Sequence, residues 1–143
     1  MKLQKLPDWA SGLLGNERVG RLAFADDRDH PRVLPVTFAV AEDAVWSAID
    51  QKPKRRPEPA RVRWLRRRPE AALCLDLYSD DWSQLAWLQL LCRVEVLERD
   101  AAGPGLAALA AKYGQYADEP PPGPVLRLAP ERALHWRAAD YPG

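Results

Sequence analysis

Arg32-Val33-Leu34-Pro35-Val36-Thr37-Phe38-Ala39-Val40 is the stretch on which the fold turns. Five of its residues are β-branched or aromatic, which predicts a strand, and the proline at its centre restricts where that strand can sit. Proline has no N–H to give a ladder, so Pro35 belongs on a sheet edge, at a bulge or at a bend that faces a ligand. Upstream, Val19 to Phe24 is a β-compatible run that ends in the polar turn Ala25–Pro31, so the two runs read as a hairpin. Downstream, Glu42-Asp43 turns the chain into a third strand, which ends near Ile49.

The same reading extends in both directions. Leu6 to Leu14 predicts a short amphipathic helix, with Pro7 in its first turn and Gly15-Asn16 as its stop. A second short helix starts at Pro59 or Ala60 and runs to about Arg68. It places Val62 and Leu65 inward and leaves Arg63, Arg66 and Arg67 in water. Ala71 to Tyr78 is a fourth strand. Leu85 to Leu97 is a fifth, long enough to require a bend or bulge. Gly105 to Tyr116 predicts a helix, the proline-rich stretch 118–124 an extended connector, and Val125–Leu128 a last strand that resumes at 133–136. Six strands with hairpin-length turns and short helices predict a mainly β, α+β protein built as an antiparallel barrel.

At 143 residues and 47% hydrophobic content the chain has the size and apolar inventory of a single domain over residues 1–143, with the barrel over about 18–137. Cys74 and Cys92 lie in apolar runs without CxxC spacing, which reads as two core thiols. The N-terminus lacks the apolar core of a signal peptide, and no run approaches the ~18 residues of a membrane span. The expectation is a cytoplasmic protein with no membrane partner.

Charge is where the chain departs from the ordinary. Nine of its 21 lysines and arginines fall between Lys52 and Arg68, with Glu58 as the lone acid among them. That segment carries +8, and the remainder of the chain −7. Such a focus concentrates anionic partners. A nucleic-acid surface calls for interleaved aromatics on a basic whole; Trp64 is the one aromatic in the segment and the rest is acidic, so no nucleic-acid partner is expected. A solvated charged loop and a site for a phosphorylated cofactor stay open. Lys52-Pro53-Lys54-Arg55 supplies both kinds of phosphate-binding cation on a stiffened backbone. No glycine-rich phosphate loop, GxSxG or HExxH is present, and His30 and His135 have no sequence partner. Chemistry, if the protein performs any, would be carried by a cofactor.

Gly20-Arg21-Leu22-Ala23, Pro31 to Phe38, Ser47-Ala48-Ile49-Asp50-Gln51-Lys52-Pro53-Lys54 and Tyr78-Ser79-Asp80-Asp81-Trp82, in this order, resemble the pyridoxamine 5′-phosphate oxidase-like superfamily, and within it the coenzyme F420-dependent branch. The resemblance covers about Val19 to Trp136. It implies an FMN-binding-like split β-barrel, a six-stranded Greek key that forms a homodimer with a flavin or deazaflavin in each of two clefts between subunits. By resemblance, the backbone of Pro35, Val36 and Thr37 lines the ring. Ser47, Ala48 and Ile49, with Lys52, Lys54 and the adjacent Arg55, approach the ribityl chain and phosphate. Trp82 or Trp87 flanks the ring of the partner's cofactor.

The implied activity is F420-dependent hydride transfer to a small conjugated acceptor, with Tyr78, Asp81 or water as proton donor. The chain departs from its relatives at Trp64, where they carry asparagine, and at Gln89 and Cys92, where they carry arginine and glycine. These departures keep FMN as the alternative cofactor. They also keep two alternative roles: an FMN oxidase, and a carrier of F420, FMN or haem without turnover.

Overall fold

The computed structural model describes residues 1–49 and 58–141. Seven antiparallel strands form one sheet: β1 (Gly20–Ala25), β2 (Pro31–Val36), β3 (Ala39–Ala41), β4 (Ala44–Ala48), β5 (Glu70–Leu77), β6 (Ala86–Leu97) and β7 (Val125–Arg137). Among the described residues four α-helices accompany them: α1 (Asp8–Asn16), α2 (Ala60–Arg67), α3 (Gly103–Lys112) and α4 (Gly114–Asp118). The spatial order is β2-β1-β5-β6-β7-β4-β3. Its two ends, β2 and β3, are consecutive in sequence and joined only by Thr37 and Phe38. Three Cα steps span at most about 11 Å. The two edges are therefore held close together, and the sheet must curl into a barrel split along that line.

Seven strands stand where six were expected, because Thr37 and Phe38 divide the run 32–40 in two. Pro35 does not break the ladder: it pairs with Arg21 inside β2, and among the described residues β1 is the only strand neighbour of β2. An edge strand tolerates the missing donor. The Glu42-Asp43 turn is a tight two-residue connection between Ala41 and Ala44, and both of its residues have positive φ, 50° and 61°. That is the backbone of the primed turns that suit the twist of a hairpin.

The other long strands also differ from expectation. The register shift between β6 and β7 falls at Leu91/Cys92, and the extra residue, Glu131, lies in β7. Pro130 is beside it, so the bulge sits where β7 already lacks a donor. With that irregularity absorbed, β7 runs unbroken from Val125 to Arg137. The helix predicted over 105–116 is two, α3 and α4, parted at Tyr113, whose backbone is extended (φ −121°, ψ 116°).

Alternation builds the core. In β1, Gly20, Leu22 and Phe24 point inward, as do Leu88, Leu90, Cys92 and Val94 in β6. They meet Leu73, Leu75, Leu126, Leu128 and Phe38 from neighbouring strands, Val62 and Leu65 from α2, and Leu13 and Leu14 from α1. On the opposite side α3 lies against β4 at Gly105, where an added Cβ would come within 2.2 Å of the Trp46 ring. Only a glycine permits that approach. No helix among the described residues is long and apolar enough to cross a membrane.

Candidate functional site

The barrel's split line is a piece of irregular backbone held by side-chain hydrogen bonds. Phe38 is fully buried, and its N–H donates to the Tyr113 hydroxyl at 3.1 Å. That hydroxyl faces two carbonyl acceptors, Arg18 O at 2.8 Å and Phe38 O at 3.0 Å. Thr37 O accepts from Ser47 Oγ at 2.7 Å, and Thr37 Oγ1 is 2.7 Å from the Tyr116 hydroxyl. The side chains that hold this two-residue bend thus come from β4 and from the α3–α4 junction. This is why Tyr113 leaves the helical path: its ring must reach inward to a backbone N–H that has no strand partner.

Against the bend lies a cleft of about 180 Å³, lined by Val19, Pro35, Val36, Thr37, Ala48 and Arg61. Among the described residues, the structure therefore brings Pro35, Val36 and Thr37 together with Ala48. Ser47 and Ile49 are each 2% exposed and do not line it; Ser47 acts on the cleft through Thr37 O. Lys52, Lys54 and Arg55 lie outside the described residues.

Arg61 was not singled out from sequence. Its guanidinium lines the cleft and makes no hydrogen bond or ion pair with a described residue. The signal was present in the helix period: with Val62 and Leu65 turned inward, Arg61 and Trp64, three positions apart, share a flank. Two other described arginines of the basic segment are neutralised. Arg66 grips Glu58 with contacts of 2.6–3.2 Å, and Arg68 pairs with Asp29 and donates to Asp26 O at 3.0 Å.

Beyond Arg61 the cleft meets a groove of about 510 Å³ between β2 and the start of α2. Arg32, Arg61 and Arg63 line it with Trp64, Val33 and Leu34. Gln89 and Cys92 line neither space. They sit in β6, with Gln89 between Cys74 of β5 and Leu134 of β7.

Trp82 and Trp87 do not line the cleft of their own chain. Trp82 is 70% exposed in the 3-10 turn 82–84, and Trp87 is 38% exposed in β6. With Leu77 and Tyr78 they belong to the exposed end of the β5–β6 hairpin, beside Trp136, which stacks on Tyr141. Tyr78 donates to Asp80 at 3.0 Å. Hydrogen bonds from the Ser83 side chain and backbone hold the Asp81 carboxyl below its usual range, so it is ionised at neutral pH and unsuited to donate a proton.

Burial defines the remaining titratable groups. It pushes the Cys92 thiol up to about 12 and raises Cys74, so neither is a reactive thiolate. Lys112 lies with Nζ 3.7 Å from the centre of the Phe38 ring, and burial, with Arg18 nearby, lowers its pKa to about 8. His30 is 3.8 Å from Asp26, and His135 packs edge-on against Trp9 at 5.6 Å. Among the described residues no His, Cys, Asp and Glu cluster could hold a metal ion.

No protein-family model and no curated protein sequence matches the chain. Solved structures do match in shape. A FAD-binding protein of Mesorhizobium loti superposes with a TM-score of 0.68 at 18% identity, over 91% of this chain and 93% of that one. HutZ, the haem storage protein of Vibrio cholerae, gives 0.71 at 16%, over 96% and 95%. A pyridoxinephosphate oxidase family protein of Clostridium acetobutylicum gives 0.64 at 14%, over 91% and 87%. Seven antiparallel strands in this order, closed through Thr37 and Phe38, and these superpositions give one conclusion: the chain has the split β-barrel fold that these three proteins share.

Proposed function

We propose that the protein binds a phosphorylated flavin or deazaflavin in the cleft beside Thr37, and that it is an oxidoreductase, F420-dependent or alternatively FMN-dependent. The observation that carries this reading is the joining of three features in one cleft: Pro35 and Val36 of the edge strand with Thr37 of the bend, Ala48 at the end of β4, and Arg61, a cation with no ion pair among the described residues. Among the described residues the side of β2 turned away from β1 has no strand neighbour, so its backbone groups can meet the polar edge of a planar ring. Arg61 can take a phosphate oxygen pair, and Lys52, Lys54 and Arg55 follow β4 in sequence.

A bound flavin or deazaflavin would supply hydride transfer to a conjugated acceptor. The chain's own part is to orient and shield. The bend fixed by Tyr113, Tyr116 and Ser47 holds the ring shelf in one geometry, and Val19, Val36 and Ala48 keep one side of the cleft apolar. The exposed Leu77, Tyr78, Trp82 and Trp87 give a reason for a homodimer: this much aromatic surface is characteristic of an interface, and a partner's Trp82 or Trp87 would then approach the cleft. A proton donor in this reading is water or Tyr78, since Asp81 is held ionised.

The test is a parallel titration of cofactor-free protein with F420 and FMN, followed by fluorescence, with the wild type, Arg61→Ala and the Lys52→Ala/Lys54→Ala double variant. Micromolar binding that weakens by about 2–4 kcal/mol in the double variant and by about 1.5–3 kcal/mol in Arg61→Ala is expected. Affinity untouched by either variant refutes the phosphate assignment, and binding of neither cofactor refutes the function.

A further inference from the structure

We propose that Lys112 is a modification site, an amine that takes an acyl group from a small acyl phosphate, with Arg18 as the cation that receives the phosphate. Neither residue lines the cofactor cleft, so the site stands apart from the function proposed above.

Packing makes this amine unlike the others. The chain has five lysines, of which Lys2 and Lys5 are exposed. Lys112 ends α3 half-buried, with Nζ 3.7 Å from the centre of the Phe38 ring and 5.4 Å from that of Tyr113. It donates to Leu14 O across 3.5 Å, a long bond. No carboxylate among the described residues pairs with it. The two rings attract a cation, but they replace neither the water nor the counter-ion that an ammonium has at the surface.

Charge acts in the same direction. Arg18 lies 4.6 Å over the Tyr113 ring and donates to Lys112 O at 2.9 Å, so a second cation shares that ring. Burial and then Arg18 lower the Lys112 pKa to about 8, with Glu17 opposing them by a smaller effect. Tyr113 is raised by burial and is neutral where Lys112 titrates. At pH 7.5 about a quarter of Lys112 is free amine, against about 0.1% of an ordinary lysine. Lower basicity takes back part of the gain in nucleophilicity, as it does for thiols, and leaves an advantage of roughly tenfold.

The reaction needs no oxidant or reductant. The Nζ lone pair attacks the acyl carbon, the bond from that carbon to the phosphate oxygen breaks, inorganic phosphate leaves with the electron pair, and the surplus proton on nitrogen passes to water. Arg18 is exposed, and a guanidinium has five N–H donors, so one given to Lys112 O does not prevent it from gripping the donor's phosphate. The product is a neutral amide, which suits a half-buried place beside a guanidinium better than the ammonium it replaces. Acylation also removes the cation from the ring of Phe38, one of the two residues that close the barrel.

The experiment treats the folded wild type and Arg18→Gln with acetyl phosphate and, in parallel, with the uncharged N-hydroxysuccinimide ester of acetic acid, and reads acetylation at each lysine by peptide mass spectrometry. With acetyl phosphate at pH 7.5, Lys112 is expected to react at least about tenfold faster than Lys2 or Lys5, and its rate should level off above about pH 8. The preference should vanish in the urea-unfolded chain. Arg18→Gln should slow Lys112 at least about threefold more with acetyl phosphate than with the ester, which has no phosphate to grip. Circular dichroism checks that the variant is folded; if it is not, added inorganic phosphate replaces it as the probe and should inhibit the acetyl phosphate reaction of the wild type alone. Lys112 reacting no faster than Lys2 and Lys5, or a preference that survives unfolding, overturns the modification site. Equal slowing with both donors, or no inhibition by phosphate, overturns the role of Arg18.

Discussion

Replacing Tyr113 with phenylalanine removes one oxygen from the barrel's split line, and the structure says what that oxygen does. It accepts from Phe38 N–H at 3.1 Å and, having a single proton, donates to one of two carbonyls at 2.8 and 3.0 Å. Phe38 is fully buried, so in Tyr113→Phe its N–H loses its acceptor where water cannot replace it. An orphaned buried donor costs about 1–3 kcal/mol, and the lost bond to a carbonyl adds about 0.5–1.5 kcal/mol. A destabilisation of roughly 2–3 kcal/mol is expected, which for a domain of this size lowers Tm by roughly 5–10 °C. Urea unfolding at pH 7 should show a lower midpoint at unchanged slope. Amide exchange at Phe38 should accelerate more than at Leu90, deep in β6, because the opening is local to the bend. A loss below about 0.5 kcal/mol, or a full loss without faster exchange at Phe38, refutes the claim that this hydroxyl holds the bend.

Two further changes probe the packing behind the cleft. Gly105→Ala gains up to about 1 kcal/mol of helix propensity but drives a methyl to 2.2–2.8 Å from the Trp46 ring, which is 3% exposed and pinned by its indole N–H to Ala41 O at 2.9 Å. Overpacking of this kind costs about 1–3 kcal/mol, so a net loss in thermal unfolding with a changed near-ultraviolet tryptophan signal is expected, and a net gain contradicts the packing of α3 on β4. Lys112, lowered to about 8 in the folded chain from 10.5, makes stability rise with pH between those values, because there the unfolded chain holds a proton that the folded one has released. Cys92, raised to about 12 from 9.0, acts the opposite way above pH 9, so the quantity to follow is the stability of wild type minus Lys112→Met, in which the thiol cancels. That difference should move towards the wild type by on the order of 1 kcal/mol from pH 8 to 10.5, reduced by the attraction of the Phe38 ring for the charged form, and a flat difference refutes the shift.

What the sequence made legible is what local chemistry decides. Alternation in Gly20–Phe24 and Ala86–Val94 marks strands with one buried face, and Val62 and Leu65 mark the inner side of α2. The break at Thr37–Phe38 has no such signal, since both residues favour strands. It is imposed by partners 10, 75 and 79 positions away: Ser47, Tyr113 and Tyr116. The division of α3 from α4 at Tyr113 is the other end of the same contact, and so was equally hidden. In the basic segment composition announced a charge focus, but which cations remain available depends on distant acids. Asp29, 39 positions from Arg68, removes that arginine from the inventory, while Arg61 keeps its guanidinium free of described partners.

The two residues that close the barrel also line the cleft or anchor its lining, and this couples binding to folding. Thr37 faces the cleft while its carbonyl and hydroxyl tie it to β4 and α4, and Phe38 turns into the core. A ligand resting on Pro35-Val36-Thr37 would press on the one link that keeps β2 and β3 together. Fluctuations that let the split open would destroy the cleft at the same time. A ligand that binds only the closed form stabilises it by RT ln(1 + [L]/Kd), about 2.7 kcal/mol at a hundredfold excess over Kd. Part of that gain should appear as slowed exchange at Phe38, the residue that follows the ring shelf and turns into the core. A barrel closed by a covalent bend rather than a strand pair is therefore well placed to register occupancy of its cleft along its whole seam.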